Sequence, residues 1–124
     1  MNTLGIKTRL VVSSSLRQSG KRTELLANLC ESQRADLYVS PLGSSVYLLK
    51  EKDILLAKGI EVVFQHYEHP EYQQLFPPFQ PFASVLDLIF NEGPRSQEIL
   101  RGGRRPPFLP AEVARQVGEN MGAQ

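Results

Sequence analysis

The chain has 124 residues, enough for one domain with a hydrophobic core of modest size. Its formal net charge of +1 argues against a nucleic-acid-binding protein and against attachment to an anionic membrane. Because no apolar run approaches the roughly 18 residues of a membrane span, and no signal peptide begins the chain, we expect a soluble, cytoplasmic protein.

The first half of the chain alternates predicted strands with predicted helices. The strands are apolar, β-branched runs at Arg9–Ser13, Asp36–Ser40 and Glu61–Gln65. One helix is predicted to open at Gly20 and Lys21, and a second to span Lys50–Lys58, with Gly59 as its carboxyl cap. This βαβαβ order predicts a small three-layer α/β fold with a short parallel sheet, followed by two helices.

The pattern changes after the third predicted strand. Aromatic residues alternate with prolines over 76–82, which predicts an extended segment held in place by burial of its rings. Ala83–Phe90 and Pro94–Arg101 are the two following helices, and the first is apolar on nearly all sides. From Gly102 to Gln124 the sequence predicts a flexible or loosely helical tail, so the predicted domain covers residues 1–101.

The single cysteine, Cys30, lies within the apolar pattern of the first predicted helix. One cysteine excludes a disulfide framework and favours a reducing compartment. The simplest interpretation of Cys30 is a small core residue. A thiol nucleophile is the alternative, although no basic residue lies beside it in the sequence to activate it.

The loop between the first predicted strand and the first predicted helix is a candidate anion site. Its small, hydroxylated or basic residues are Ser13, Ser14, Ser15, Gly20 and Lys21. Backbone N–H groups at a helix start, next to such side chains, can bind phosphate. The loop is not a Walker A motif, because Ser15 and Arg22 stand where that motif needs glycine and Ser or Thr. A serine-rich turn with a solvated lysine is the alternative.

The stretch Val62–Tyr72 begins as an apolar strand and continues as a polar loop that holds both histidines. In open α/β sheets, ligands bind where strands end, so this loop is a candidate site. The spacing of His66 and His69 would allow two metal ligands, but no carboxylate or cysteine cluster supports a metal, and we predict none. A histidine in a loop is more often an exposed or hydrogen-bonding residue, and general acid–base catalysis by His69 is favoured over metal binding as its functional role.

Asp87 and Asn91 form the third candidate group, together with Ser84. They are four residues apart, so both would lie on one face of a helix. A carboxylate among apolar neighbours is costly unless another group pairs with it, so Asp87 is a candidate catalytic residue. The alternative is that Asn91, with the Glu92 and Gly93 that follow it, is only a helix stop.

Several phrases of the sequence together match a known family: LGIKT, SSSL followed by GKRTELL, ADLYVS, GIEVVFQHYEHPEYQQ and PFASVLDLIFNEGPRSQEIL. From about Leu4 to Leu100 the chain resembles the carboxyl-terminal half of WbqC-like proteins, which are bacterial proteins often associated with O-antigen and other surface-polysaccharide gene clusters. Members usually begin with a glutamine–proline–tyrosine motif in an upstream half that has no counterpart here. We therefore expect a truncated member or a fragment.

The resemblance implies an enzyme of surface-polysaccharide assembly that transfers an acyl or aminoacyl group to a nucleotide-linked amino sugar, with no cofactor expected. Lys21 and the serine loop would then bind phosphate, His69 would act as acid or base, and Asp87 would orient it or bind a sugar hydroxyl. The remaining residues of the expected substrate site are Tyr67, Tyr72 and Asn91. The alternative is a non-catalytic binding or assembly module that docks a partner.

Two spatial expectations follow from this topology. Loops at the carboxyl ends of parallel strands meet at one edge of the sheet, so one concave surface should be lined by Ser14, Lys21, His69, Asp87 and Asn91. In addition, a short parallel sheet leaves its edges open, and the predicted helices of this chain carry more apolar surface than such a sheet can cover. We therefore expect self-association or a partner chain that covers the open edge.

Overall fold

The structure is a computed structural model that describes residues 2–122. Its helices and strands are, in chain order, α1 (Thr23–Ser32), β1 (Leu37–Ser40), α2 (Ser45–Leu56), β2 (Glu61–Phe64), α3 (Val85–Glu92), α4 (Ser96–Gly102) and α5 (Pro110–Gly122). None of the helices in this part of the chain is both long and apolar enough to cross a membrane.

The chain forms two compact units. The first, the sheet unit, consists of Leu10–His66 and the segment from Pro106 onward. The second, the helical unit, consists of Tyr67–Arg105 and the segment that ends at Arg9.

The sheet is parallel, as the sequence predicts. β1 pairs with β2 in a register that places Leu37 beside Glu61 and Ser40 beside Phe64. α2 connects the two strands, so this part of the chain is a βαβ unit. Val62, Val63 and Phe64 are all buried, because β2 has helices packed against it. The α/β class and the parallel pairing are therefore confirmed.

The first predicted strand, Arg9–Ser13, is wrong. The described residues form a sheet of two strands, and neither contains any part of this segment. Leu10, Val11 and Val12 are exposed, and a 3-10 turn begins at Ser13. An apolar run becomes a strand only where another strand offers hydrogen-bonding groups to it, and within residues 2–122 this run has no such neighbour. The observed order is thus βαβ rather than the predicted βαβαβ.

The two helices that the sequence predicts in the sheet unit, α1 and α2, begin at different residues than predicted. α1 begins at Thr23, because Gly20 (φ +107°) and Arg22 (φ +54°) have left-handed backbones that a helix cannot include. α2 begins at Ser45, five residues earlier than expected. Gly59 (φ +72°) follows the end of α2 as predicted, and its N–H donates to the Leu56 carbonyl at 2.9 Å.

The core of the sheet unit includes residues far apart in the sequence: Ala27, Leu48, Leu55, Ile60, Val62, Phe64 and Val113. Val113 belongs to α5, within the stretch predicted as a flexible tail. Phe108, which lies just before α5, exchanges backbone hydrogen bonds of 2.8 and 2.9 Å with Phe64 of β2 as an antiparallel bridge. The segment after residue 105 therefore contributes to the core, since Val113 is only 2% exposed.

In the helical unit, α3 and α4 confirm the two predicted helices with small shifts in their ends. The Ser84 hydroxyl caps α3 by accepting the Leu86 N–H at 3.2 Å. Gln97 in α4 donates to the Leu4 carbonyl at 2.6 Å, which fastens the amino-terminal segment to this unit.

The predicted ring burial over 76–82 is wrong for most of the segment. Phe76 and Phe82 are exposed, and only Phe79 is half-buried, with its ring edge-on to Tyr72. The helical unit is small, so its core is not large enough to cover every ring of this segment.

Candidate functional site

A cavity of about 100 Å³ in the helical unit brings together part of the predicted site. The residues that line it include Tyr67, His69, Tyr72, Ser84, Leu88 and Leu100. Pockets for whole small-molecule ligands usually have volumes of about 300–1,000 Å³. This cavity therefore has room for one chemical group rather than for an entire nucleotide sugar.

Both ring nitrogens of His69 are occupied. Nδ1 lies 2.9 Å from the Pro70 carbonyl oxygen, and Nε2 accepts the Phe82 N–H at 3.2 Å. This network assigns the proton to Nδ1, where it is donated to Pro70. His69 can therefore accept a proton from a substrate only after Phe82 leaves Nε2.

Aromatic rings surround His69 on several sides. Their centroids lie between 5.0 and 6.4 Å from the imidazole, which is the usual spacing of interacting rings, and they belong to Tyr67, Tyr72, Phe79 and Phe82. Phe82 has a left-handed backbone (φ +61°), a conformation that costs a non-glycine residue energy. The Phe82 ring is exposed, so this residue has space in which to move.

Three side chains hold the carboxylate of Asp87. The Tyr72 hydroxyl donates to Oδ2 at 2.6 Å, and Gln74 Nε2 donates to the same oxygen at 3.0 Å. Asn91 Nδ2 donates to Oδ1 at 3.1 Å and also to the Asp87 carbonyl at 2.8 Å. A carboxylate can accept about four hydrogen bonds, and these side chains donate three to Asp87.

The hydrogen bond to Asp87 raises the pKa of Tyr72, and burial of the ring raises it further. Tyr72 is thus a protonated donor at neutral pH. Burial also raises the pKa of Tyr67, against a smaller opposite effect of Arg104, and its hydroxyl donates to the Leu100 carbonyl at 2.8 Å. Neither phenol is placed to act as a base.

The predicted anion loop lies in the sheet unit. Ser13, Ser14 and Ser15 belong to the exposed 3-10 turn, and Ser15 uses both its hydroxyl and its N–H on the Val12 carbonyl. Lys21 is exposed, directly before the left-handed Arg22.

A groove of about 400 Å³ lies next to that loop, lined by Arg22, Leu25, Leu26 and Tyr47. Neither Arg22 nor Tyr47 was among the predicted site residues. The sequence signal for this groove was Arg22, a basic residue two positions before Glu24, together with the aromatic residue Tyr47. The groove combines a cation with an aromatic ring, which are groups that suit a phosphate and a planar base.

The remaining candidates are structural. His66 stacks on Phe108 with ring centroids 4.2 Å apart, so its ring supports the bridge between Phe64 and Phe108. Cys30 is half-buried against the core, and burial raises the pKa of its thiol, as expected for an inert core cysteine. Within residues 2–122, no three His, Cys, Asp or Glu side chains are grouped as metal ligands.

The structure thus places Tyr67, His69 and Tyr72 at one cavity, and Tyr72 is hydrogen-bonded to Asp87, which in turn accepts from Asn91. The five residues of the anion loop belong to the other unit. One shared surface for both groups stays a prediction.

Comparison with known proteins identifies the family. The model of the WbqC-like protein family matches residues 1–99. The chain is also 37% identical over 99 residues to the uncharacterized protein Rv1507c of Mycobacterium tuberculosis. That match covers 79% of this chain but 42% of the relative, so the chain spans about two fifths of the relative's length. No solved structure matches the chain. The match over most of its length shows that this chain belongs to the WbqC-like protein family.

Proposed function

We propose that this chain acts in the biosynthesis of bacterial surface polysaccharides such as O-antigen, by binding a nucleotide-linked amino sugar and transferring an acyl or aminoacyl group to it. The observation that carries the proposal is the Asp87 carboxylate, which accepts three of its roughly four possible hydrogen bonds and is joined through Tyr72 to a small cavity lined with aromatic rings.

This arrangement suits one end of a sugar. The C–H groups on a sugar face carry partial positive charge, and aromatic ring faces are negative, so rings such as Tyr72 attract them. A further hydrogen bond to Asp87 would suit a sugar hydroxyl or amine, which is a donor. The cavity of about 100 Å³ then selects the group attached to the ring.

The chemistry requires a base next to the amine. The sugar nitrogen attacks the carbonyl carbon of an acyl thioester or ester, an amide bond forms, and the donor's thiol or hydroxyl leaves. His69 Nε2 takes the proton that the amine loses and passes it to the leaving group. The hydrogen bond from Phe82 to Nε2 must open first, which makes Phe82 a gate for the base.

Phosphate binding is proposed for the loop over 13–21, with Lys21 as the charged group. Exposure of the loop and the neighbouring Arg22 support this role. Backbone amides of this loop should shift in an NMR titration with a panel of nucleotide sugars.

The central test is the affinity of an Asp87→Asn variant for the nucleotide sugar that this panel identifies. Affinity should fall by roughly 1.5–3 kcal/mol, the range for a hydrogen bond to a charged group. Glu98→Gln, an exposed carboxylate in α4, is the matched control and should bind like the unmodified chain. Equal affinity of the Asp87→Asn and Glu98→Gln variants would rule out Asp87 as a ligand-binding group.

A binding or assembly module is the second candidate function. It is favoured by the occupied ring nitrogens of His69, which leave no free base in the present conformation. Incubation with a nucleotide amino sugar and an acyl thioester, followed by mass spectrometry, separates the two functions. An acylated sugar supports the transferase, whereas binding without any acylated product supports the module.

A further inference from the structure

One edge of the parallel sheet is open among the residues that the structure describes. β1 has β2 as its neighbour on one side, where the Asp36 and Ser40 carbonyls accept hydrogen bonds from Glu61 and Gln65. Since backbone groups alternate along a strand, those of Leu37 and Val39 face away from β2. The other edge of the sheet differs, because Phe108 pairs with Phe64 there.

The open edge is apolar as well as unpaired. The side chains of Leu37 and Val39 are 46% and 55% exposed. Proteins usually protect such edges with lysine, proline or a bulge, and the sequence of β1, LYVS, contains neither lysine nor proline. This edge can therefore accept another strand.

The same unit contains an apolar segment that lacks a partner. Leu10 and Val12 are 71% and 68% exposed, and Val12 has an extended backbone (φ −84°, ψ 118°). Among the described residues, the only backbone hydrogen bond of Leu10–Val12 is the one that Val12 accepts from Ser15. Its β-branched composition suits a strand.

We propose that Leu10–Val12 of a second copy of this chain adds to the open edge of β1 as a parallel strand, and that the exchange is reciprocal. This segment turns away at Ser13, and in the part of one copy that the structure describes neither it nor the open edge of β1 is paired. A second copy supplies the missing partner for each. Two identical contacts then form a closed two-fold dimer.

Charge fixes the direction of the added strand. A parallel alignment with Leu10 beside Leu37 places Arg9 next to the exposed Asp36 and Val12 next to Val39. An antiparallel alignment would separate Arg9 from Asp36. The parallel alignment therefore pairs opposite charges at the start of the strand and apolar side chains along it.

The test mixes two single-cysteine variants, Val12→Cys and Val39→Cys, each in a Cys30→Ser background. In-register neighbours on parallel strands lie about 4.8 Å apart at Cα, within the range of disulfides. Mixing under mild oxidation should give a cross-linked species of twice the 13.9 kDa chain mass. In the control, Val46→Cys replaces Val12→Cys, because Val46 in α2 is similarly exposed (70%). The control pair, Val46→Cys with Val39→Cys, should cross-link several-fold less.

Light scattering after size exclusion gives an independent readout. The unmodified chain should be a dimer at micromolar concentration, Val12→Lys should shift it to monomer, and Val46→Lys should leave it a dimer. Equal cross-linking with Val12→Cys and Val46→Cys, or a monomeric unmodified chain, would overturn the proposal. An internal disulfide in a monomeric Val12→Cys/Val39→Cys variant would do so too, and would assign the edge to the chain's own segment.

Discussion

Asp87 shows how neighbouring side chains can hold a half-buried carboxylate in place. Its three donors come from Tyr72, Gln74 and Asn91, which belong to the loop before α3 and to α3 itself. A half-buried carboxylate without such donors would lose more solvation than it gains. Because the donors are already in place, a ligand that binds Asp87 does not bear the cost of ordering the carboxylate.

Tyr72 should make stability depend on pH above about 10, the ordinary pKa of tyrosine. Its pKa is raised in the folded chain, so the folded state keeps the phenolic proton at a pH where the unfolded state loses it. The resulting stabilisation is complete below the unfolded pKa and is lost as pH rises through the folded one. Tyr72→Phe should therefore be less stable than the unmodified chain at pH 7, and the difference should shrink by about pH 11.

Urea denaturation of both proteins at the two pH values measures this difference. The comparison isolates Tyr72, because the other tyrosines are common to both chains. A difference that stays constant between the two pH values would show that the hydrogen bond to Asp87 does not control the titration of Tyr72.

The adjacent glycines Gly102 and Gly103 differ in the space around them, so alanine substitutions at the two positions form a matched pair. A Cβ on Gly103 would lie 2.6 Å from Tyr67 Cζ and still closer to the Glu68 carbonyl oxygen, whereas a Cβ on Gly102 would meet nothing within 4 Å. Gly103→Ala should therefore lower the free energy of unfolding by about 1–3 kcal/mol through overpacking.

Gly102→Ala is the control, and it should leave that free energy unchanged or raise it by up to about 1 kcal/mol, because alanine favours the helix. Urea denaturation of the two variants, followed by circular dichroism, measures the difference in their free energies of unfolding. Similar losses in both would mean that the contact between Gly103 and Tyr67 does not form.

At the scale of elements, α5 completes the core of the sheet unit. Its Val113 is packed with Phe64 and Leu48 although about fifty residues separate it from β2. Val113→Ala should lower the free energy of unfolding by about 1–3 kcal/mol, from lost burial plus the cavity left behind.

Val46→Ala removes the same atoms from an exposed position and should change stability by no more than about 0.5 kcal/mol. Thermal or urea denaturation of the two variants provides the measurement. Equal stability of both variants would show that Val113 does not pack in the core, as expected for the flexible tail that the sequence predicts.

The predictability of each element depends on how local its cause is. β1, α2, Gly59 and β2 were predictable because apolar periodicity and a glycine cap act over a few residues. Leu10–Val12 has the composition of a strand, but a strand also needs a neighbour that composition does not reveal. α5 was missed because Val113 and Val117 are a weak pattern whose partners lie in distant parts of the chain.

The same reasoning applies to the candidate site. The contact of Asn91 with Asp87 was predictable from their spacing of four on one helix. The roles of Gln74 and Phe82 were not, since both depend on how the loop over 70–83 folds back towards His69 and Asp87. Loop geometry of this kind arises from several weak contacts at once.

At the scale of the whole molecule, most of the helical unit is inserted in the chain of the sheet unit. The sheet unit continues to His66 and resumes at Pro106, and the intervening 67–105 belong to the helical unit. The two ends of this insertion are joined twice, by the bridge between Phe64 and Phe108 and by the bridge between Tyr67 and Arg104.

This order has a consequence for synthesis on the ribosome. A chain emerges from its amino terminus, so β1, α2 and β2 are outside the ribosome well before Val113. Until α5 follows, the inner side of β2 lacks its last covering helix, and the nascent chain presents Val62 and Phe64 to its surroundings. The insertion over 67–105 lengthens that interval, so Val62 and Phe64 stay without α5 while these residues of the helical unit are being made.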